Sequence, residues 1–176
     1  MLATLMIGTA GHAKDIACPP DDECGNVDGS ESADNIKGND KPNVINGKDG
    51  DDVIQGFGGN DVIHGDRGND VIHGNAGNDT IYGDEGNDKL VGGLGDDTLE
   101  GGDGNDILRD PQGVGVDPND KEDTDYLDGG AGDDYLDAED RDPKDTLNGG
   151  DGTDTCYGDP ADIYQLCETT NQPGKR

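Results

Sequence analysis

The sequence predicts an all-β fold: a right-handed parallel β-roll with disulfide-stapled terminal caps. Three observations predict it. A nine-residue unit recurs without a gap from Gly29 to Arg109. One large aliphatic residue returns at the eighth place of each unit, and glycine and aspartate return around it in phase. A fixed short period means that one small structural unit is stacked on itself.

Composition sets the limits. The 176 residues are enough for one domain, but only 28% are hydrophobic, with a single Phe and no Trp. An ordinary globular core is therefore out of reach. Acidic residues outnumber basic ones 42 to 12, for a formal charge of −30. Such numbers alone suggest disorder. Disordered polyanions need no register, however, and here 32 glycines and the acids keep one. Asp outnumbers Glu 35 to 7, where a merely solvating surface would use Glu as readily. Asp at fixed places among glycines is ligand chemistry for a hard cation. The charge excludes nucleic acid as a partner, and an anionic membrane too, since both require Lys/Arg patches. No apolar run is long enough for membrane insertion. A monomer is expected.

In chain order, Met1–Ala13 is a short apolar stretch ending in small residues. It reads as a truncated signal peptide, residues 1–13, with cleavage after Ala13. Residues 14–28 form an N-terminal cap. The four cysteines fall in two close pairs, Cys18 with Cys24 and Cys156 with Cys167. Four cysteines allow three connectivities, and pairing at each end is the simplest, because the repeats keep the ends apart. Zinc is the rival reading, but separations of six and eleven residues are not those of a CxxC site. Disulfides imply an oxidising compartment and a secreted, extracellular protein.

The repeat region is 29–157. Aligned on Gly-Gly-x-Gly-x-Asp-x-U-x, with U large and apolar, nine units begin at Gly29, Gly38, Gly47, Gly56, Gly65, Gly74, Gly83, Gly92 and Gly101. The U place reads Ile36, Ile45, Ile54, Ile63, Ile72, Ile81, Leu90, Leu99 and Leu108. The sixth place reads Asp34, Asn43, Asp52, Asp61, Asp70, Asp79, Asp88, Asp97 and Asp106. The first two units are worn, as terminal repeats that act as caps are expected to be. After Arg109 the register lapses and returns. Thr124–Asp128 and Asp145–Asn148 are unit ends without their glycines, whereas Gly129–Asp137 and Gly149–Tyr157 are full units, the last with Cys156 in the apolar slot. Residues 158–176 are the C-terminal cap and tail.

This pattern resembles the RTX, or haemolysin-type, calcium-binding nonapeptide repeat family, over roughly Gly29 to Tyr157. Gly-Thr-Asp-Thr-Cys156 followed by a second Cys resembles its standalone secreted bacterial members. The resemblance implies a calcium-stacked β-solenoid.

The residues themselves support that expectation. Gly supplies the positive φ of a six-residue turn. A three-residue strand follows, and only its middle residue points inward. Two units make one coil of eighteen residues, and alternate units stack about 4.8 Å apart in two parallel sheets with an Ile/Leu seam between them. One buried Ile contributes about 1.5–3 kcal/mol, less than the cost of ordering nine backbone residues. Stacked sixth-place carboxylates would also repel. A divalent cation between successive turns meets both difficulties, because Ca2+ takes six to eight oxygens in a flexible shell.

The expected metal ligands are Asp52, Asp61, Asp70, Asp79, Asp88, Asp97, Asp106, Asp134 and Asp154, holding about five to seven Ca2+. On one edge the pairs are Asp52 with Asp70, Asp70 with Asp88, and Asp88 with Asp106, continued by Asp134 and Asp154 if the stack crosses the interruption. On the other they are Asp61 with Asp79 and Asp79 with Asp97. Sites using Asp34 or Asn43 should be weak or empty.

No catalytic residue and no organic cofactor are expected. The only serines, Ser30 and Ser32, lie in the worn first unit, and carboxylates that hold Ca2+ are not available for acid–base work. His64 and His73 should lie on opposite faces, solvated. Both irregular segments, Asp110 to Asp125 and Ala138 to Asp145, should fall on the edge opposite the turn of Gly65. There Asp117, Asp120, Glu122, Asp123, Glu139, Asp140 and Asp142 would make an acidic loop surface. An extracellular adhesion or recognition module using that edge is the alternative function, since loops are where partner sites gather.

Overall fold

The computed structural model of the protein describes residues 14–20, 24–110, 124–139 and 145–171. The signal-like segment Met1–Ala13 lies outside the described residues, as do Asp117, Asp120, Glu122, Asp123, Asp140 and Asp142.

Every described element is a strand. They are β1 (Asp15–Ala17), β2 (Asn26–Asp28), β3 (Asn35–Lys37), β4 (Val44–Asp49), β5 (Val53–Gly58), β6 (Val62–Arg67), β7 (Val71–Ala76), β8 (Thr80–Glu85) and β9 (Lys89–Leu94). Then come β10 (Thr98–Asp103), β11 (Ile107–Arg109), β12 (Tyr126–Ala131), β13 (Tyr135–Ala138), β14 (Thr146–Asp151), β15 (Thr155–Gly158), β16 (Ile163–Gln165) and β17 (Thr169–Asn171). Odd-numbered strands build one nine-stranded parallel sheet in chain order, and even-numbered strands build one eight-stranded parallel sheet. The chain thus crosses from sheet to sheet at every unit, a two-sheet solenoid.

The seam is the core. Ile36, Ile45, Ile54, Ile63, Ile72, Ile81, Leu90, Leu99, Leu108, Leu127, Leu136 and Leu147 are each 0% exposed. Each pairs with its own kind one coil away, as Ile63 does with Ile45 and Ile81. The register carries through both interruptions: Leu99 stacks on Leu127 and Leu127 on Leu147. Cys156 closes the seam under Leu136.

The division of the unit differs from the expected three-residue strand and six-residue turn. Strands such as β6 and β8 run for six residues, well into the Gly-rich half. In β4 and β6, Val44, Ile45 and Asn46 pair with Val62, Ile63 and His64, and then Lys48 and Asp49 pair with Asp66 and Arg67 beyond Gly65. The reason is backbone accounting. Stacked turns lie close enough to pair, and a buried N–H or C=O left unpaired is costly. The true corner is only the fourth to sixth places, for example Gly68 at φ 144.

The outward faces are mixed. His64 lies on β6 and His73 on β7, in different sheets, as their spacing predicts. His64 stacks on Tyr82 with ring centroids 4.5 Å apart and meets Asp84 at 3.1 Å. The cysteines pair at each end, Cys18 with Cys24 and Cys156 with Cys167.

Candidate metal centre

The sixth-place aspartates form two columns, one at each edge where the chain turns between sheets. On the first edge the chain passes from the eight-stranded sheet to the nine-stranded one. There the amide of Asp52 donates to Oδ1 of Asp70 at 2.7 Å, that of Asp70 to Asp88 at 2.7 Å, and that of Asp88 to Asp106 at 2.8 Å. The ladder continues from Asp106 to Asp134 at 2.7 Å and from Asp134 to Asp154 at 2.9 Å. On the second edge Asp61 donates to Asp79 at 2.8 Å and Asp79 to Asp97 at 2.7 Å. All nine aspartates singled out in the sequence are buried, and they are brought together in the pairs expected of them.

One oxygen of each carboxylate is thereby used. The other, Oδ2, has no hydrogen-bond partner in Asp52, Asp61, Asp70, Asp79, Asp88, Asp106, Asp134 and Asp154. Buried polar atoms almost always have a partner, so a regular series without one points to something that binds there. The surroundings fit a hard cation. A methyl group added at Gly65 would lie 2.5 Å from Oδ2 of Asp70 and 2.7 Å from the carbonyl oxygen of Gly83. At Gly47 it would lie 2.5 Å from Asp52 Oδ2 and 2.6 Å from the Gly65 carbonyl. The first-place glycines beside Asp52, Asp61, Asp70, Asp79, Asp88, Asp106 and Asp134 therefore keep a side-chain-free niche bordered by a carboxylate oxygen and by a carbonyl of the next turn, whereas the niche at Gly92 is bordered by the carboxylates of Asp97 and Asp110. That oxygen-only donor set suits Ca2+.

Electrostatics agree. Burial raises the carboxyl of Asp70 to about 7, and the charges of Asp88, Asp52 and Asp51 add to it, while the backbone N–H of Asp52 opposes it. Asp61 is likewise raised to about 7 by burial. Burial also raises Asp52, Asp79, Asp88, Asp106 and Asp134 to about 6. Burial thus penalises the charged form along both columns, a penalty that a cation beside the carboxylates would offset.

Comparison with known families matches the RTX calcium-binding nonapeptide repeat (4 copies) over residues 28–56, 37–72, 55–90, 82–109, 121–140 and 144–162, more than half of the chain. The chain belongs to this family. A search of curated proteins found no match. The RTX repeat is a calcium-binding repeat, and the two aspartate columns are its sixth places.

The worn RTX units at the amino end differ in kind. Asp34 has both oxygens engaged: Oδ1 accepts from the Lys14 amide at 2.7 Å, and Oδ2 from the Ser30 amide at 2.6 Å and its hydroxyl at 2.8 Å. Asn43 accepts from the Asn39 amide at 2.8 Å and donates to the Cys24 carbonyl at 3.1 Å. At these two places hydrogen bonds engage the side-chain oxygens.

Several site residues escaped the sequence reading. The second RTX column continues past Asp97, whose amide donates to Oδ1 of Asp125 at 2.8 Å. Asp125 donates in turn to Asp145 at 2.9 Å, and Asp145 to Asp162 at 3.2 Å. The signal was present, because Asp125 and Asp145 lie in the glycine-less unit ends, two places before Leu127 and Leu147. Asp110 stands where a first-place glycine would be. Its carboxylate, with those of Asp97 and Asp125, offers three buried oxygens within 4.8 Å of one another. The fifth place also acts. Oδ1 of Asp51, Asn69, Asn87, Asn105 and Asp133 accepts in each case from the fifth-place amide one coil later, at 2.8–3.0 Å. This outer ladder points opposite to the inner aspartate ladder, and its acceptors are Asn or Asp, while Thr153 joins it through its backbone amide alone.

The described strands flanking both interruptions, β11 with β12 and β13 with β14, lead from the nine-stranded to the eight-stranded sheet, the passage made at the second edge.

Proposed function

We propose that the protein is a secreted, non-enzymatic calcium-binding repeat protein whose folding is coupled to ions held between successive Gly–Asp turns. The observation that carries this reading is the series of buried Oδ2 atoms without partners, each beside a glycine niche and a carbonyl of the next turn. The assigned ligands are Asp52, Asp70, Asp88, Asp106, Asp134 and Asp154 on the first edge and Asp61, Asp79 and Asp97 on the second. Asp125 and Asp145 extend the second column. About five to seven ions follow from the paired positions first assigned.

Calcium neutralises columns that would otherwise repel and ties each turn to the next. The aspartates and glycine carbonyls supply the oxygens, the first-place glycines keep space for them, and the Ile/Leu seam sets the spacing. Each half of the unit therefore depends on the other. Two disulfides support an oxidising, extracellular setting. A net charge of −30 opposes self-association and supports a monomer. Carboxylates that hold Ca2+ are not available for acid–base work.

Equilibrium dialysis against calcium, with circular dichroism of the same samples, tests the proposal. Several ions per chain should bind as the parallel-sheet signal appears. Full sheet signal in excess EGTA, with no metal retained, would overturn it.

A further inference from the structure

We propose that the carboxyl-terminal cap completes one more calcium site at the end of the first column, and that the Cys156–Cys167 disulfide holds this site together. The inference rests on the calcium reading above but concerns residues outside the repeat.

Asp154 is the last repeat aspartate of its column. It is fully buried, and its Oδ2 has no hydrogen-bond partner. No nonapeptide follows it, yet the surroundings of a repeat site are rebuilt. The Asp154 amide donates to Oε2 of Glu168 at 2.7 Å, as the Asp134 amide donates to Oδ1 of Asp154 at 2.9 Å. The Thr169 amide bonds to the Asp154 carbonyl at 3.0 Å, as the Thr155 amide bonds to that of Asp134 at 2.9 Å. By register, Glu168 therefore occupies the sixth place of an absent turn. The niche at Gly149 is bordered by Asp154 Oδ2, 2.6 Å from where a methyl would sit, and by the carbonyl of Leu166. At Gly129 the same two borders are Asp134 Oδ2 and the Gly149 carbonyl, each at 2.5 Å. Leu166 thus supplies the carbonyl that a first-place glycine supplies elsewhere. It does so at φ 49, a conformation leucine rarely adopts.

In a repeat, the sixth place follows the first by five positions. Here Glu168 follows Leu166 by two, and the longer Glu side chain makes up the reach. Between them stands Cys167, bonded to Cys156 in the seam. The bridge therefore fixes the residues on both sides of it, one the carbonyl donor and the other the carboxylate donor. The amino-terminal end is built differently, since both oxygens of Asp34 are engaged by Lys14 and Ser30. One end of the first column is closed by hydrogen bonds and the other by an ion.

The test is the number of Ca2+ ions bound per full-length oxidised chain, by equilibrium dialysis with calcium alone, for wild type, Glu168→Gln and Cys167→Ser. Glutamine keeps the acceptor for the Asp154 amide and removes the charge. Serine opens only this bridge. Each variant should bind one ion fewer than wild type and keep the sheet signal at saturating calcium. An unchanged count in Glu168→Gln overturns the site, and an unchanged count in Cys167→Ser alone overturns the part given to the disulfide. Loss of the whole sheet signal, or of more than one ion, also overturns the proposal, because the cap would then be holding the array. Wild type that binds no calcium sinks the parent reading, whereas wild type that binds it while both variants match it sinks only this one.

Discussion

The amide of Asp70 donates to Oδ1 of Asp88 at 2.7 Å, eighteen residues along the chain and one coil away. This bond orients every carboxylate in its column. It uses one oxygen for the backbone and leaves the other beside the Gly niche, so structural and metal-binding roles are divided within a single side chain.

Chelation should unfold the array. An ion that binds only the folded chain adds about 1.4 kcal/mol per site at ten times its dissociation constant. Several sites together equal the whole stability of an ordinary domain, about 5–15 kcal/mol. Circular dichroism should show a cooperative loss of sheet on addition of EGTA and full recovery on restoring calcium. Sheet that persists in metal-free samples at neutral pH counts against the coupling.

Asp70→Asn and Asp34→Asn should behave differently. Asparagine at 70 keeps an acceptor for the Asp52 amide but removes a charge from the niche at Gly65. The calcium concentration for half-folding should rise about tenfold, equivalent to about 1.4 kcal/mol. At 34 both oxygens already serve N–H and O–H donors, so the substitution should cost about 1 kcal/mol of cap stability and leave the calcium count unchanged. Equal calcium loss in both variants would contradict the assignment.

Acid should favour the metal-free fold. The carboxyls of Asp61 and Asp70 stand at about 7, above the 3.8 of an ordinary Asp, because burial penalises their charge. Below pH 4 folded and unfolded chains are both protonated at these groups. Between about 4 and 7 the folded chain holds protons that the unfolded chain has released, so stability falls as pH rises. A pH titration in EGTA should show sheet lost on going from about 5 to 7, and calcium should restore it at 7. Metal-free sheet that strengthens with rising pH would refute the argument.

Neighbouring substitutions should have opposite signs. Gly56 is crowded: a methyl there would meet Asp61 Oδ2 and lie 2.9 Å from the Gly74 carbonyl. Gly56→Ala should destabilise the calcium-loaded protein by about 1–3 kcal/mol. Phe57, next to it, stands at φ 80 and is 41% exposed. A bulky left-handed residue costs about 1–2 kcal/mol, so Phe57→Gly should be neutral or stabilising. Thermal melts in saturating calcium read both, and a destabilising Phe57→Gly would show that its ring makes a contact that matters.

The period alone determined the two-sheet roll, the Ile/Leu seam and the pairing of aspartates one coil apart. A nine-residue unit with one inward residue can bury that residue only by alternating sides, so Ile63 had to meet Ile45 and Ile81. The pairing of cysteines within each end followed from the same geometry. Only the tertiary structure decided how the columns continue where the period fails. Asp97 reaches Asp125 across 28 residues, and Asp125 reaches Asp145 across 20. Parallel register depends on which backbones lie side by side and not on the length of chain between them. For the same reason Glu168 and Leu166 could not be read as a missing turn, since they carry none of its glycines. The fifth-place ladder was hidden because Asn, Asp and Thr look interchangeable until their amides and side-chain oxygens are seen stacked. Spacing fixed what recurs; three-dimensional adjacency fixed what substitutes for it.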